Sequence, residues 1–139
     1  MQEVGSMDMN TCKRKNLVKT IKPDTSKIQA LAKSAKRKIE ASNVLPKELG
    51  EPKISLMYDA LRTILESIAL ERGYKIYNHE CYTAFLKEVL QRSRLGDEFD
   101  NFRKVRNGIN YYGKEVNPEE AKELLLQMKK FIEKIRKLT

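Results

Sequence analysis

Pro52-Lys53-Ile54-Ser55-Leu56-Met57-Tyr58-Asp59-Ala60-Leu61-Arg62-Thr63-Ile64-Leu65-Glu66-Ser67-Ile68-Ala69-Leu70 reads as one amphipathic helix. Ile54, Met57, Tyr58, Leu61, Ile64, Leu65 and Ile68 recur at spacings of three and four, which a period of 3.6 residues gathers into a single stripe. Leu56, Ala60 and Leu70 add apolar surface off that stripe, so the helix is expected to lie centrally, covered on more than one side. Pro52 suits a first helical position, where its missing N–H is no loss. Gly73 is the expected stop, because a helix end needs a residue that enters the left-handed region freely. The helix is predicted over 52–72.

Other amphipathic segments flank it. Upstream, 1–10 read as a loose terminus and 11–21 as a short helix with Leu17, Val18 and Ile21 turned inward, ended by Pro23. Asp24 caps a helix over 25–42 that buries Ile28, Leu31, Ala32, Ala35 and Ile39 and turns Lys33, Lys36 and Arg37 to solvent. Downstream, Asn78 caps a helix running to about Arg92 and burying Cys81, Phe85, Leu86, Val89 and Leu90. Gly96-Asp97 reads as a turn, after which Phe99, Phe102, Val105, Ile109 and Tyr112 share one helical arc that ends at Gly113. Asn117-Pro118-Glu119-Glu120 supplies a cap, a proline at the first position and an acid at the third. In the helix that follows, Ala121, Leu124, Met128, Phe131, Ile135 and Leu138 alternate spacings of three and four. So regular a seam requires a long partner helix, within the bundle or across a dimer. No segment reads as a strand. The expected fold is all-α, an antiparallel up-and-down bundle of about five helices, forming a single domain over 11–139.

The composition agrees. With 139 residues, 40% hydrophobic and 34% charged, the chain is long enough for one self-sufficient core and too mixed for a disordered or fibrous class. No apolar run reaches the length of a membrane span, and the opening residues lack a secretion core, so no membrane association and a cytoplasmic location are expected. Cys12 and Cys81 are the only cysteines and are expected to be reduced, structural thiols. With a single histidine they do not make a zinc set, and no cofactor is implied. The net charge is +9. Residues 1–50 carry 11 basic against 5 acidic side chains, a balance suited either to a polyanion or to a merely solvated lysine face.

Phosphate-loop, dinucleotide, serine-hydrolase and zinc-protease motifs are absent. What remains is Asn101-Phe102-Arg103-Lys104-Val105-Arg106-Asn107-Gly108-Ile109-Asn110-Tyr111-Tyr112-Gly113. On a helical wheel Arg106 falls among Phe99, Phe102 and Ile109, at the edge of the apolar arc. A guanidinium there keeps its charge and needs an anion. Asp59 or Glu66 of a neighbouring helix, a partner chain or a phosphate would serve. Asn110 is expected beside Arg106, and Gly108 is expected to admit another backbone. Five residues turn a regular helix by roughly 140° from the starting direction, so Arg106 and Tyr111 are expected to diverge unless the helix frays.

Arg106-Asn107 followed by a polar aromatic residue five positions after the arginine, late in a helical bundle, resembles the HEPN domain family. That family's signature is an arginine, commonly followed by a polar residue, and a histidine four to six residues later. The resemblance covers roughly 52–139 and is helped by Gly73-Tyr74-Lys75 and His79 between two of the helices. It implies a small bundle, a homodimer with facing motifs, and an RNA or nucleotide partner. Active members are metal-independent ribonucleases; others pair with minimal nucleotidyltransferases in toxin–antitoxin systems. Carried over, Arg106 and Tyr111 become the catalytic candidates, and Arg106, Asn107, Asn110, Arg103 and Tyr112 the phosphate- or RNA-binding ones. Tyr111 stands where the histidine belongs, and a phenol with pKa about 10 is a poor base at neutral pH. The resemblance therefore implies weakened or lost ribonuclease chemistry. His79, beside the Asn78 cap, reads most simply as an exposed first-turn residue, with a general-base role as the alternative. Tyr74, Tyr77 and Tyr82 could stack on bases or pack at a helix junction.

Overall fold

The computed structural model describes residues 7–138. In chain order its elements are α1 (Met9–Arg14), β1 (Val18–Thr20), α2 (Thr25–Val44), α3 (Gly50–Glu71), β2 (Tyr74–Ile76), α4 (His79–Ala84), α5 (Ser93–Tyr112) and α6 (Pro118–Arg136). The predicted stripe of α3 is buried along its whole length, and Ala60, Ala69 and Leu70 are buried with it. The helix can be covered this way because α2, α5, α6 and β2 all pack against it. It begins two residues earlier than predicted, at Gly50, with Leu49 as a cap that offers no side-chain bond. Pro52 is tolerated there because the first four N–H groups of a helix have no intrahelical acceptor. Helix α6 lays Ala121, Met128, Phe131 and Ile135 into the core. The long partner helix its seam requires is α3 of the same chain.

The amino-terminal part departs from the expectation. Met9 is buried and Asp8 caps α1 by accepting from the Thr11 N–H at 2.8 Å. Residues 7–10 are thus part of the fold, while 1–6 of the expected loose terminus lie outside the described residues. The predicted helix over 11–21 stops at Arg14; Asn16 turns the chain with φ 60° and Val18–Thr20 forms a strand. β1 pairs antiparallel with β2 in the register Val18↔Ile76, Lys19↔Lys75, Thr20↔Tyr74. The β-branched Val18, Thr20 and Ile76 favour such a ribbon. Cys12 and Cys81 are joined in a buried disulfide rather than being free thiols. The bond fastens α1 to α4 across the strand pair.

Two further boundaries differ. The helix expected from Asn78 to Arg92 is α4 followed by a π-helical segment, Phe85–Val89, in which the Leu90 N–H returns to the Phe85 carbonyl at 3.1 Å. The expected turn at Gly96-Asp97 is instead interior to α5. A Cβ on Gly96 would lie 3.2 Å from the Thr83 carbonyl and 2.6 Å from Lys87 Cγ. Here glycine serves close helix packing, not chain reversal. Among the described residues no helix is long and apolar enough to cross a membrane.

Candidate functional site

The start of α4 and the last turns of α5 enclose a shallow depression of ≈330 Å³. Tyr77, Asn78, His79 and Glu80 line one side; Arg103, Arg106, Asn107 and Tyr111 line the other. Asn78 caps α4 by accepting from the Glu80 N–H at 2.8 Å, which fixes where His79 leaves the backbone. The opposite wall exists because α5 runs as a regular helix to Tyr112 and stops at Gly113, whose φ is 65°.

Arg106 has a side chain only 17% exposed. Its guanidinium carbon lies 5.4 Å from the centroid of the buried Tyr58 ring and 5.7 Å from that of Tyr111. One nitrogen donates to the Tyr111 hydroxyl at 3.4 Å, and another lies 4.0 Å from an Asp59 carboxylate oxygen. Buried Nε has no hydrogen-bond partner. With Asp59 37% exposed, such a pair contributes roughly 0–1 kcal/mol. The two cation–π contacts add roughly 0.5–2 kcal/mol each. Together these approach the several kcal/mol that burying an ion costs, yet they leave most of five N–H donors unanswered. The site tolerates this cation without satisfying it.

Arg103 differs. Its Nε and a terminal nitrogen donate to Asp100 Oδ1 at 3.0 and 2.8 Å, and Glu80 stands 3.8 Å away. Burial would push the Asp100 carboxyl up, but the bonds from Arg103 and Lys104 outweigh it and hold the group below its ordinary range. Arg103 is therefore spent inside the protein, and Arg106 is the under-used charge of the depression.

The expected divergence of Arg106 and Tyr111 does not occur, and the helix does not fray to bring them together. The Gly113 and Lys114 N–H groups both return to the Gly108 carbonyl. These bonds close the end of α5 at Gly113, and the two long side chains meet over its last turn. Tyr111 is 67% exposed. Asn107 lines the depression as expected. Asn110, one helical turn beyond Arg106, lines no part of the depression: its Oδ1 accepts from the Ser55 hydroxyl of α3 at 3.0 Å. Tyr112 is exposed and lines no part of the depression. Among the described residues no neighbouring element brings its backbone against Gly108; a Cβ there would meet the Lys114 side chain, at 3.5 Å.

His79 stands in the first turn of α4 beside the Asn78 cap as expected, but it is not exposed. It is half-buried, faces Arg106 across the depression, and its Nδ1 lies 3.0 Å from the Tyr58 hydroxyl. Burial, with Arg62 and Arg106 nearby, lowers its pKa to about 4, so it is neutral at neutral pH. Desolvation raises the Tyr58 phenol well above its ordinary value, so Tyr58 keeps its proton. Nothing in the spacing of His79 and Arg106, 27 positions apart, announces that they meet; the hint available was that His79 is the only histidine. Among the described residues no three His, Cys, Asp or Glu side chains are gathered as a metal site would require. Compared with protein-family models, curated proteins and solved structures, the chain matches none.

Proposed function

We propose that this chain is a HEPN-like bundle associated with RNA or nucleotides, and that it receives a phosphate at Arg106 with weakened or lost endoribonuclease chemistry. The observation that carries the reading is the Arg106 guanidinium. It is mostly buried, open to a depression, held by one long hydrogen bond and a carboxylate at 4.0 Å, with Nε unpaired. A phosphate oxygen offers the charge and the acceptors it lacks. Asn107 and the Tyr111 hydroxyl stand where they could add polar contacts. The deciding experiment measures RNA binding and cleavage by wild type and Arg106→Ala. Wild type binds and the variant loses affinity; equal affinity with no cleavage in either removes the reading.

One observation favours an active ribonuclease as a second reading: His79 lines the wall facing Arg106, although its lowered pKa makes it a weaker base than an ordinary histidine. Its Nε2 would take the proton of a ribose 2′-hydroxyl if Nδ1–H donates to the Tyr58 oxygen. The 2′-oxygen would then attack phosphorus, and the 5′-oxygen would leave with a proton from solvent. Cleavage that survives chelator, leaves cyclic phosphate ends and is lost in His79→Ala separates this reading from the first. The other alternative is a module that docks a nucleotidyltransferase; the regular α6 seam that suggests it packs against α3 of the same chain. A homodimer with facing copies of Arg106 belongs to the main proposal, and sedimentation of the purified chain tests it. The Cys12–Cys81 bond weighs against the expected cytoplasmic location, since cytosolic thiols outside hyperthermophiles are kept reduced.

A further inference from the structure

The strand ribbon beside the depression carries an arrangement that folding alone does not favour. Lys19 and Lys75 are direct cross-strand partners, and like charges in that position repel and destabilise a ribbon. Neither ammonium has a carboxylate within 4 Å among the described residues. Both instead lie over one ring, that of Tyr77, at 5.7 and 5.3 Å from its centroid. Tyr77 is 51% exposed, and its backbone is fixed by an N–H bond to the Leu17 carbonyl at 2.8 Å. The same Tyr77 also lines the Arg106 depression. Tyr77 thus joins the two places: its ring carries both lysines and its side chain lines the depression that holds Arg106.

We infer that Lys19, Lys75 and Tyr77 form a second phosphate subsite, and that the ligand is a single-stranded RNA chain rather than a free nucleotide. This rests on the phosphate reading of Arg106. A mononucleotide needs only the depression, where Arg106 is the cation left for it. A chain continues past Tyr77, sets its next phosphates against the two lysines and relieves their mutual repulsion. The exposed aromatic edge between them offers a surface for a base.

The test is fluorescence anisotropy of a labelled oligouridylate of about 12 nucleotides over a series of salt concentrations, with uridine monophosphate as competitor. The proteins are wild type, Arg106→Ala, Lys19→Gln/Lys75→Gln and Lys19→Arg/Lys75→Arg. Each phosphate contact on a single strand contributes roughly 0.7 to the slope of log affinity against log salt. The glutamine pair is therefore expected to lower the slope by about 1.4 and the arginine pair to retain it, with the inhibition constant of the mononucleotide unchanged in both. RNA binding by wild type with the same slope in the glutamine pair overturns the subsite and leaves the Arg106 reading standing. A glutamine pair that weakens mononucleotide and RNA alike overturns it too, since the lysines would then belong to the first phosphate. Wild type that binds no RNA overturns the subsite, and overturns the Arg106 reading as well only if calorimetric titration shows that it binds no uridine monophosphate either.

Discussion

The Tyr58 hydroxyl lies 3.0 Å from Nδ1 of His79, and the same ring underlies the Arg106 guanidinium. One buried phenol of the central helix thus fixes both walls of the depression, one by hydrogen bond and one by its π face. Tyr58→Phe removes the first link and keeps the second. The expected cost in urea denaturation is about 1 kcal/mol, the usual net worth of a hydrogen bond. A double cycle with His79→Phe should return most of that as coupling; additive losses would show that the phenol acts elsewhere.

His79 makes stability depend on pH in a definite direction. Its pKa is about 4 in the folded chain, lowered first by burial and then by Arg62 and Arg106, against about 6.5 when unfolded. The unfolded chain therefore takes up the proton first as pH falls. The contribution is whole above about pH 6.5 and is lost progressively toward pH 4. Denaturation midpoints across that window should decline more steeply in wild type than in His79→Gln. The sole histidine also gives an isolated NMR titration, which should move upward when inorganic phosphate binds beside it.

The disulfide is expected to contribute substantially to stability. Cys12 and Cys81 are 69 positions apart, and closing a loop of that length in the unfolded chain is worth about 4 kcal/mol in the chain-entropy account. Reduction, or Cys12→Ser/Cys81→Ser, should lower the urea midpoint accordingly. It should also disturb the depression, because Cys81 is two residues from His79 on α4. An unchanged His79 titration after reduction would show that α4 holds its place through packing alone.

The central helix was legible because its burial is decided locally: the period of Ile54 through Ile68 shows within one window, and long periodic stripes survive tertiary packing. The strand ribbon was not. Val18–Thr20 is three residues long, too short for alternation to show, and its partner lies more than fifty positions away. The Gly96 turn failed for a related reason, since glycine marks close approach as well as reversal, and only the Thr83 and Lys87 neighbours distinguish the two. At the site, Arg106 showed itself as a cation at the rim of an apolar arc. His79 did not, because its burial is set by α5 and by the Tyr58 phenol.

Gly113 ends α5 with φ 65°, and a Cβ there would meet nothing within 4 Å. Gly113→Ala therefore probes backbone conformation without a clash. It should cost about 1–2 kcal/mol, the penalty of a left-handed residue bearing a Cβ. Gly108→Ala is the control: its added methyl makes only an ordinary contact and its helical backbone gains propensity. Thermal unfolding should rank the Gly113 variant below wild type and the Gly108 variant level with it or above.

If Arg106 receives a phosphate as proposed, Asp59 and that phosphate compete for one guanidinium. The carboxylate stands 4.0 Å from Arg106, near enough to attract the cation and too far for a well-formed hydrogen bond. Asp59→Asn removes a negative charge 4.0 Å from the Arg106 guanidinium without changing side-chain size. If the pair is worth up to about 1 kcal/mol, anion affinity should rise by up to roughly fivefold. Arg106→Lys should do the opposite, because an ammonium keeps the charge but loses the planar fork that engages two phosphate oxygens at once. Calorimetric titration with uridine monophosphate checks both. Tighter binding in Asp59→Asn, together with weaker binding in Arg106→Lys, requires the ligand to sit on the guanidinium itself. Affinities that follow net charge alone, rising in the first and unchanged in the second, would place the anion on the general basic surface instead.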